Sequence, residues 1–281
     1  METEKKHDLQ QIVAVVNNKG GVGKTTTVQS LAAGIVRLNH HLRVLVVDLD
    51  PQCNLSQLMG LQPTECRTVF DAMCEQKGLS VYKCYNGVYA ACGSAQMQEI
   101  EQHLPGGATF REMKKAFYVL LECLQCDCID ETGEGLKSLF DDFDYIFIDC
   151  PPALSKSTYN ALVASSHVLI PVQMESLSVR GLKEIVAVMD EVKEEHLNDD
   201  LELSGLLPVM VDTRTKITKE LQDILDERFP DKVLGTGVRR CVKVLEAQKH
   251  NHTIFDDAPY SSAAIDYEQV VKELYLKPLS L

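Results

Sequence analysis

The stretch "NNKGGVGKTTT" at 17–27 constrains the fold more than any other part of this chain. It follows an apolar, β-branched run, "IVAVV" at 12–16, and leads into a helical pattern. Strand, glycine-rich loop and helix in that order make a phosphate-binding loop. The pattern fits G-x-x-x-x-G-K-[ST], with Asn18 in place of the first glycine. Glycines let the backbone curl until successive N–H groups point at phosphate oxygens. The helix N-terminus adds partial positive charge at the same point. The expected cradle is Gly20, Gly21, Val22, Gly23, Lys24, Thr25 and Thr26. Lys24 can reach the β- and γ-phosphates of a nucleoside triphosphate, and Thr25 can offer its hydroxyl to Mg²⁺. A second lysine, Lys19, stands directly before the first glycine, and such a loop does not need it.

Short apolar runs alternate with helical patterns along the chain. Strands are expected at 12–16, 44–47, 88–91, 145–148, 168–172 and 203–211, with a short candidate at 233–234. Several are apolar at every position, as strands covered on both faces of a parallel sheet are. Helices are expected at 25–38, 111–124, 156–164, 178–195, 218–228 and 264–276, and 128–135 and 194–200 read as surface loops. This alternation implies one α/β domain over 1–281 with a doubly wound, mostly parallel sheet, preceded by a short disordered tail at about 1–10. The segment 62–110 follows neither period well.

Two further segments put carboxylates at strand ends. "LVVDLDPQCN" (45–54) carries Asp48 and Asp50, and "YIFIDCPP" (145–152) carries Asp149. In a parallel sheet these ends open on the edge where ligands bind. Asp149 is placed to hold Mg²⁺ through water. Asp48 and Asp50 alternate along their strand, so one can face the metal and the other the attacking water.

The chain has 28 basic and 41 acidic side chains, a net charge of −13, so its overall field does not hold it to nucleic acid. Residues 213–249 are the exception, with nine basic and six acidic side chains. No secretory signal and no membrane-spanning run is expected. The ten cysteines form no regular framework and read as reduced thiols in a cytoplasmic protein. "CLQCDC" (123–128) offers three cysteines, one ligand short of a structural zinc site. His40, His41, His250 and His252 read as surface residues without a supporting carboxylate.

"KGGVGKTT", "VVDLDPQ" and "FIDCPP" together resemble the ParA/MinD group of deviant Walker ATPases, with a P-loop NTPase (SIMIBI-like) fold. "IPVQMESLSVRGL" (170–182), "VDTRTK" (211–216) and "VRRCVKVLEAQ" (238–248) resemble the ParA/Soj branch. The resemblance implies a role for Lys19. Two subunits sandwich two ATP molecules, and this lysine reaches the phosphates of the partner's site, as an arginine finger supplied in trans does. It further implies that Asp50 orients the hydrolytic water, while Asp48 and Asp149 sit nearer Mg²⁺. The ATP-bound homodimer would grip double-stranded DNA without sequence preference. Arg214 and Lys243 stand at the DNA-contacting positions, with Arg240 three residues before Lys243. A ParB-like partner would stimulate a weak ATPase and release the DNA, giving a cytoplasmic, nucleoid-associated protein. Two departures are visible: Cys53 replaces the glycine of the usual "DPQGN", and "RRC" replaces "PRN". A MinD-like membrane-surface ATPase is the alternative. The C-terminal "YEQVVKELYLKPLSL" holds only Lys272 and Lys277 as cations, which makes it a poor membrane anchor. An iron protein or arsenite pump subunit is a more distant reading of the same loop type.

Overall fold

The computed structural model describes residues 11–104, 114–130, 135–174 and 178–275; for 127–138, 178–180 and 217 it describes the backbone only. Residues 1–10, expected as a tail, and most of the C-terminal segment after Leu274 lie outside the described residues. The strands are β1 (Gln11–Val15), β2 (Val44–Asp48), β3 (Ser80–Lys83), β4 (Tyr89–Ala91), β5 (Asp127–Asp130), β6 (Gly135–Ser138), β7 (Tyr145–Asp149), β8 (His167–Gln173), β9 (Glu202–Val211) and β10 (Val238–Arg239). They form one ten-stranded sheet in the order β10-β9-β8-β1-β7-β2-β4-β3-β5-β6. From β10 to β4 every pairing is parallel. The β3–β4 and β5–β6 pairings are antiparallel.

The central strands are buried on both faces, which is why they read as unbroken apolar runs. On one face, Ile12, Ala14, Leu45, Val47, Ile146 and Ile148 pack against helices Lys156–Ala164, Ser178–Glu194 and Lys216–Arg228 through Leu162, Leu182, Ile185, Leu221 and Leu225. On the other, Val13, Val15, Val44, Val46 and Phe147 pack against helices Lys24–Leu38 and Ser262–Leu274 through Leu31, Ile35, Val270 and Val271. Each fully buried Val, Leu or Ile is worth roughly 1.5–3 kcal/mol. These two layers therefore fix β1 and the helix after it, and the glycine loop between them starts and ends at rigid points. Among the described residues, no helix is long and apolar enough to cross a membrane.

The structure departs from the sequence reading in several places. Residues 128–130 and 135, expected in a loop, belong to the paired strands β5 and β6. The helix expected at 111–124 is broken by a turn at 116–118 and continues as Val119–Gln125; residues 111–113 lie outside the described residues. The candidate strand at 233–234 is a single bridge from Val233 to Leu206. The difficult stretch after 62 holds short elements: helix Val69–Glu75, β3, β4 and helix Ile100–His103. Helix Val242–Lys249 had no counterpart in the sequence reading. Cys123 is buried and Cys126 partly buried, and the Cys128 side chain lies outside the described residues.

Candidate nucleotide-binding site

The loop from β1 to helix Lys24–Leu38 adopts the strained geometry its glycines allow. Gly21 has φ +75° and Gly23 φ +85°, both in the left-handed region. Gly23 is the N-cap of the helix, so no side chain caps it, and its first turn holds no acidic residue. The N–H groups of that turn have no intrahelical partner and remain available to an anion. A Cβ on Gly20 or Gly21 would meet nothing within 4 Å, because the loop faces an open cleft.

The cleft holds about 630 Å³ and is walled by Gly20, Gly21, Gly23, Lys24, Thr25 and Thr26 on one side and by Asp50, Gln52 and Asn54 on another. Pro152, Met210, Leu245, Gln248 and Asn251 close the rest. That volume suits a nucleotide-sized ligand. Lys24 is buried, and its Nζ donates to the Lys19 carbonyl at 3.3 Å, so the loop's own oxygen sits where a phosphate oxygen could. Burial lowers the Lys24 pKa, and the nearby carboxyl groups of Asp149 and Asp50 oppose that shift.

The predicted convergence of strand ends is present. Asp48 and Asp149 are register partners at the ends of β2 and β7, and Asp149 is opposite Val15 of β1. Thr25 Oγ1 donates to Asp149 Oδ2 at 2.7 Å, while Asp149 Oδ1 is buried with no hydrogen-bond partner. Burial, with the Asp48 charge second, pushes the Asp149 pKa well up; Thr25 and Lys24 pull the other way. An unsatisfied buried carboxylate oxygen beside a threonine hydroxyl fits a hard divalent cation such as Mg²⁺.

Asp48 and Asp50 divide their work. Asp48 Oδ2 accepts from the Ser56 N–H (2.8 Å) and hydroxyl (2.7 Å), and Oδ1 accepts from the Asp50 N–H (3.1 Å). Ser56 Oγ in turn accepts from the Gly93 N–H at 2.8 Å. Burial raises the Asp48 pKa to about 6 against these donors. Asp48 thereby ties down the loop that carries Asp50, whose side chain lies on the cleft wall and accepts from the Gln52 N–H at 2.9 Å. Cys53, at the position where a glycine was expected, has φ +52°. The loop keeps a glycine-favouring conformation with a cysteine in it.

Lys19 is half-buried and outside the cleft. Its Nζ lies 3.4 Å from Gln173 Oε1 at the end of β8, and its N–H donates to Asn17 Oδ1 at 2.9 Å. The three basic candidates are brought together only in part. Arg214 pairs in bidentate fashion with Asp212, at 2.9 and 2.8 Å. The Arg240 N–H donates to the Val211 carbonyl, next to Asp212. The Arg214 bonds, with help from the Arg240 charge, hold the Asp212 carboxyl down at about 2. Lys243 lies one helix further on and pairs with Glu246 at 2.5 Å.

Sequence reading missed several wall residues. Gln248 donates to Thr26 Oγ1 at 2.7 Å, and Met210 takes φ +53° to reach the cleft. Neither has a local sequence signal. The reading of His250 and His252 as lacking a carboxylate is corrected: Asp257 accepts from both rings, at 2.6 Å each. It was missed because it lies across a turn and in the next helix.

A family model described as an AAA domain matches residues 10–203. The sporulation initiation inhibitor protein Soj of Bacillus subtilis is 33% identical over 272 residues, covering 95% of this chain and 98% of its own. The chromosome-partitioning ATPase Soj of Thermus thermophilus is 32% identical over 262 residues, covering 93% and 94%. Among solved structures, cobyrinic acid a,c-diamide synthase of Mycobacterium smegmatis, with an ATP analogue and magnesium bound, superposes with TM-score 0.75 at 28% identity, covering 94% of this chain and 93% of that one.

Proposed function

This chain belongs to the ParA/Soj family of partitioning ATPases, and on that premise we propose that it hydrolyses ATP to segregate or position DNA. The observation that carries the reading is the Thr25–Asp149 pair beneath an uncapped helix N-terminus, with Lys24 buried beside it. The triphosphate would lie along the glycine loop, its oxygens accepting from the backbone N–H groups of 20–26. Lys24 would exchange its bond to the Lys19 carbonyl for the β- and γ-phosphates. Thr25 and Asp149 would hold Mg²⁺, Asp149 through water, and the ion would neutralise phosphate charge. Asp50, held by the Asp48–Ser56 tie, would orient the attacking water. Asp48 would act chiefly by keeping that loop in place.

Lys19 does not line its own cleft, and its ammonium lies near Gln173 at the end of β8, which suits a residue acting on a second copy. In an ATP-bound homodimer its ammonium would leave Gln173 and reach the partner's transferring phosphoryl group. Charge stabilisation of this kind is worth roughly 10³–10⁵ in rate where an arginine supplies it. Val242 and Leu245 are exposed apolar residues of one helix, 68% and 67% accessible, with Leu245 lining the cleft, and both would be covered by that partner. Arg214, Arg240 and Lys243 would bind the DNA backbone without reading sequence, each phosphate contact releasing counterions. Arg214 and Lys243 would exchange Asp212 and Glu246 for phosphates. A ParB-like protein would stimulate turnover and so release the DNA.

The direct test is ATP hydrolysis and random-DNA mobility shift in parallel, with Mg²⁺, ADP, ATP and a slowly hydrolysed analogue. DNA should shift with ATP or the analogue and not with ADP, and Lys24→Ala should lose both activities. Equal DNA binding in all nucleotide states would refute the coupling, and ATP-dependent sedimentation with liposomes in place of DNA would favour the MinD-like alternative.

A further inference from the structure

We propose that His250, His252 and Asp257 form a binding site for one divalent transition-metal ion of the zinc type. The three side chains offer ligand atoms that all lie within 4.8 Å of one another. Each imidazole Nδ1 is 2.6 Å from a different oxygen of the same carboxylate, His250 from Oδ2 and His252 from Oδ1. In tetrahedral coordination with bonds of about 2.0–2.1 Å, ligand atoms sit about 3.3 Å apart, so the present spacing needs only small side-chain rotations. Two imidazole nitrogens and a carboxylate oxygen are a donor set for zinc, nickel, cobalt or copper rather than magnesium or calcium. The fourth position is open to water.

The backbone fixes the ligands before any ion arrives. His250 ends helix Val242–Lys249, and Asn251 reverses the chain at φ +56°. The N–H groups of His250 and His252 both donate to the Ala247 carbonyl at 3.0 Å, and Asn251 donates to Gln248 at the same distance. Thr253 starts the next helix, Ile254–Asp257, with a capping box to Asp256, and Asp257 is its last residue. Tyr85 Oη accepts from the Thr253 N–H at 3.1 Å, and its ring lies 5.9 Å from that of His252. Such preorganisation lowers the ordering cost of binding.

The position gives the site a consequence. Asn251, between the two histidines, lines the nucleotide cleft, and Gln248 on the preceding turn holds Thr26. A bound ion would clamp the turn that forms this wall.

The test uses the reduced full-length chain and Co²⁺ as a coloured stand-in for Zn²⁺. One equivalent should bind with visible ligand-field bands clearly stronger than those of octahedral aqueous Co²⁺, without a thiolate charge-transfer band, and Zn²⁺ should displace it. His250→Gln and His252→Ala should each weaken binding about tenfold or more, a loss typical when a metal's ligand set is disturbed. Wild-type affinity in both histidine variants, no binding at all, or a thiolate band showing cysteine ligation would overturn the proposal.

Discussion

Replacing Ser56 with alanine removes one hydroxyl and breaks two buried hydrogen bonds. The hydroxyl donates to Asp48 Oδ2 at 2.7 Å and accepts from the Gly93 N–H at 2.8 Å. The first bond goes to a buried carboxylate and is worth about 1.5–3 kcal/mol; the second leaves a buried N–H unsatisfied, at a cost of about 1–3 kcal/mol. A Cβ built on Gly93 would already be 2.9 Å from Asp48 Cγ, so the backbone there is packed tightly against the carboxylate and leaves little room for a replacement water. The two losses share a partner and do not add fully. The expected destabilisation is about 2–4 kcal/mol, read as a lower urea midpoint with an unchanged slope. Asp48 still accepts from the Ser56 N–H, so the loop loosens without detaching. Turnover should therefore fall more than nucleotide affinity, because Asp50 rides on this loop and the phosphate cradle does not. Ser56→Thr, which keeps the hydroxyl, should recover most of the turnover. A loss under about 0.5 kcal/mol, the range of an ordinary surface change, with normal turnover would refute the reasoning.

Two other outcomes are expected. Asp50→Ala should keep ATP-dependent pairing and DNA binding while hydrolysis stops; a variant that stays monomeric with ATP in sedimentation would contradict the role given to Asp50. The second concerns pH. Burial raises the folded pKa of Asp48 from 3.8 to about 6. An acid with a raised folded pKa contributes stability that is complete below its unfolded value and lost as pH rises through the folded one. The nucleotide-free chain should thus gain stability from Asp48 between pH 7 and about pH 4, on the order of 3 kcal/mol at most. Asp149, raised in the same direction, adds to the trend. Urea titrations across this window should show it in the wild type and a shallower slope in Asp48→Asn; parallel slopes would contradict it.

Much of this architecture was legible because its central strands are covered on both faces. Runs such as Val44–Asp48 and Tyr145–Asp149 are buried at every position, and short apolar runs of this kind suit strands covered on both faces. The glycine loop was legible because its chemistry is local: consecutive residues make the cradle. What escaped notice depends on contacts between distant segments or on faces that leave the core. Helix Val242–Lys249 was missed because Val242 and Leu245 point outward and blur its period. β5 and β6 were missed because "DCID" and "GLKS" are too polar and short to announce strands. The support of Asp48 by Ser56 and Gly93 was invisible for another reason: no spacing rule links a strand end to a serine eight residues on and a glycine on the next strand's exit.

The central claim is that a cation from one subunit completes the triphosphate site of another. Lys19→Ala tests it most directly, by molar mass in solution at micromolar protein with a slowly hydrolysed ATP analogue, alongside nucleotide binding. The account predicts a chain that binds the analogue, remains a monomer where the wild type becomes a dimer, and hydrolyses ATP at least about 10³-fold more slowly. A variant that dimerises and turns over like the wild type would contradict it.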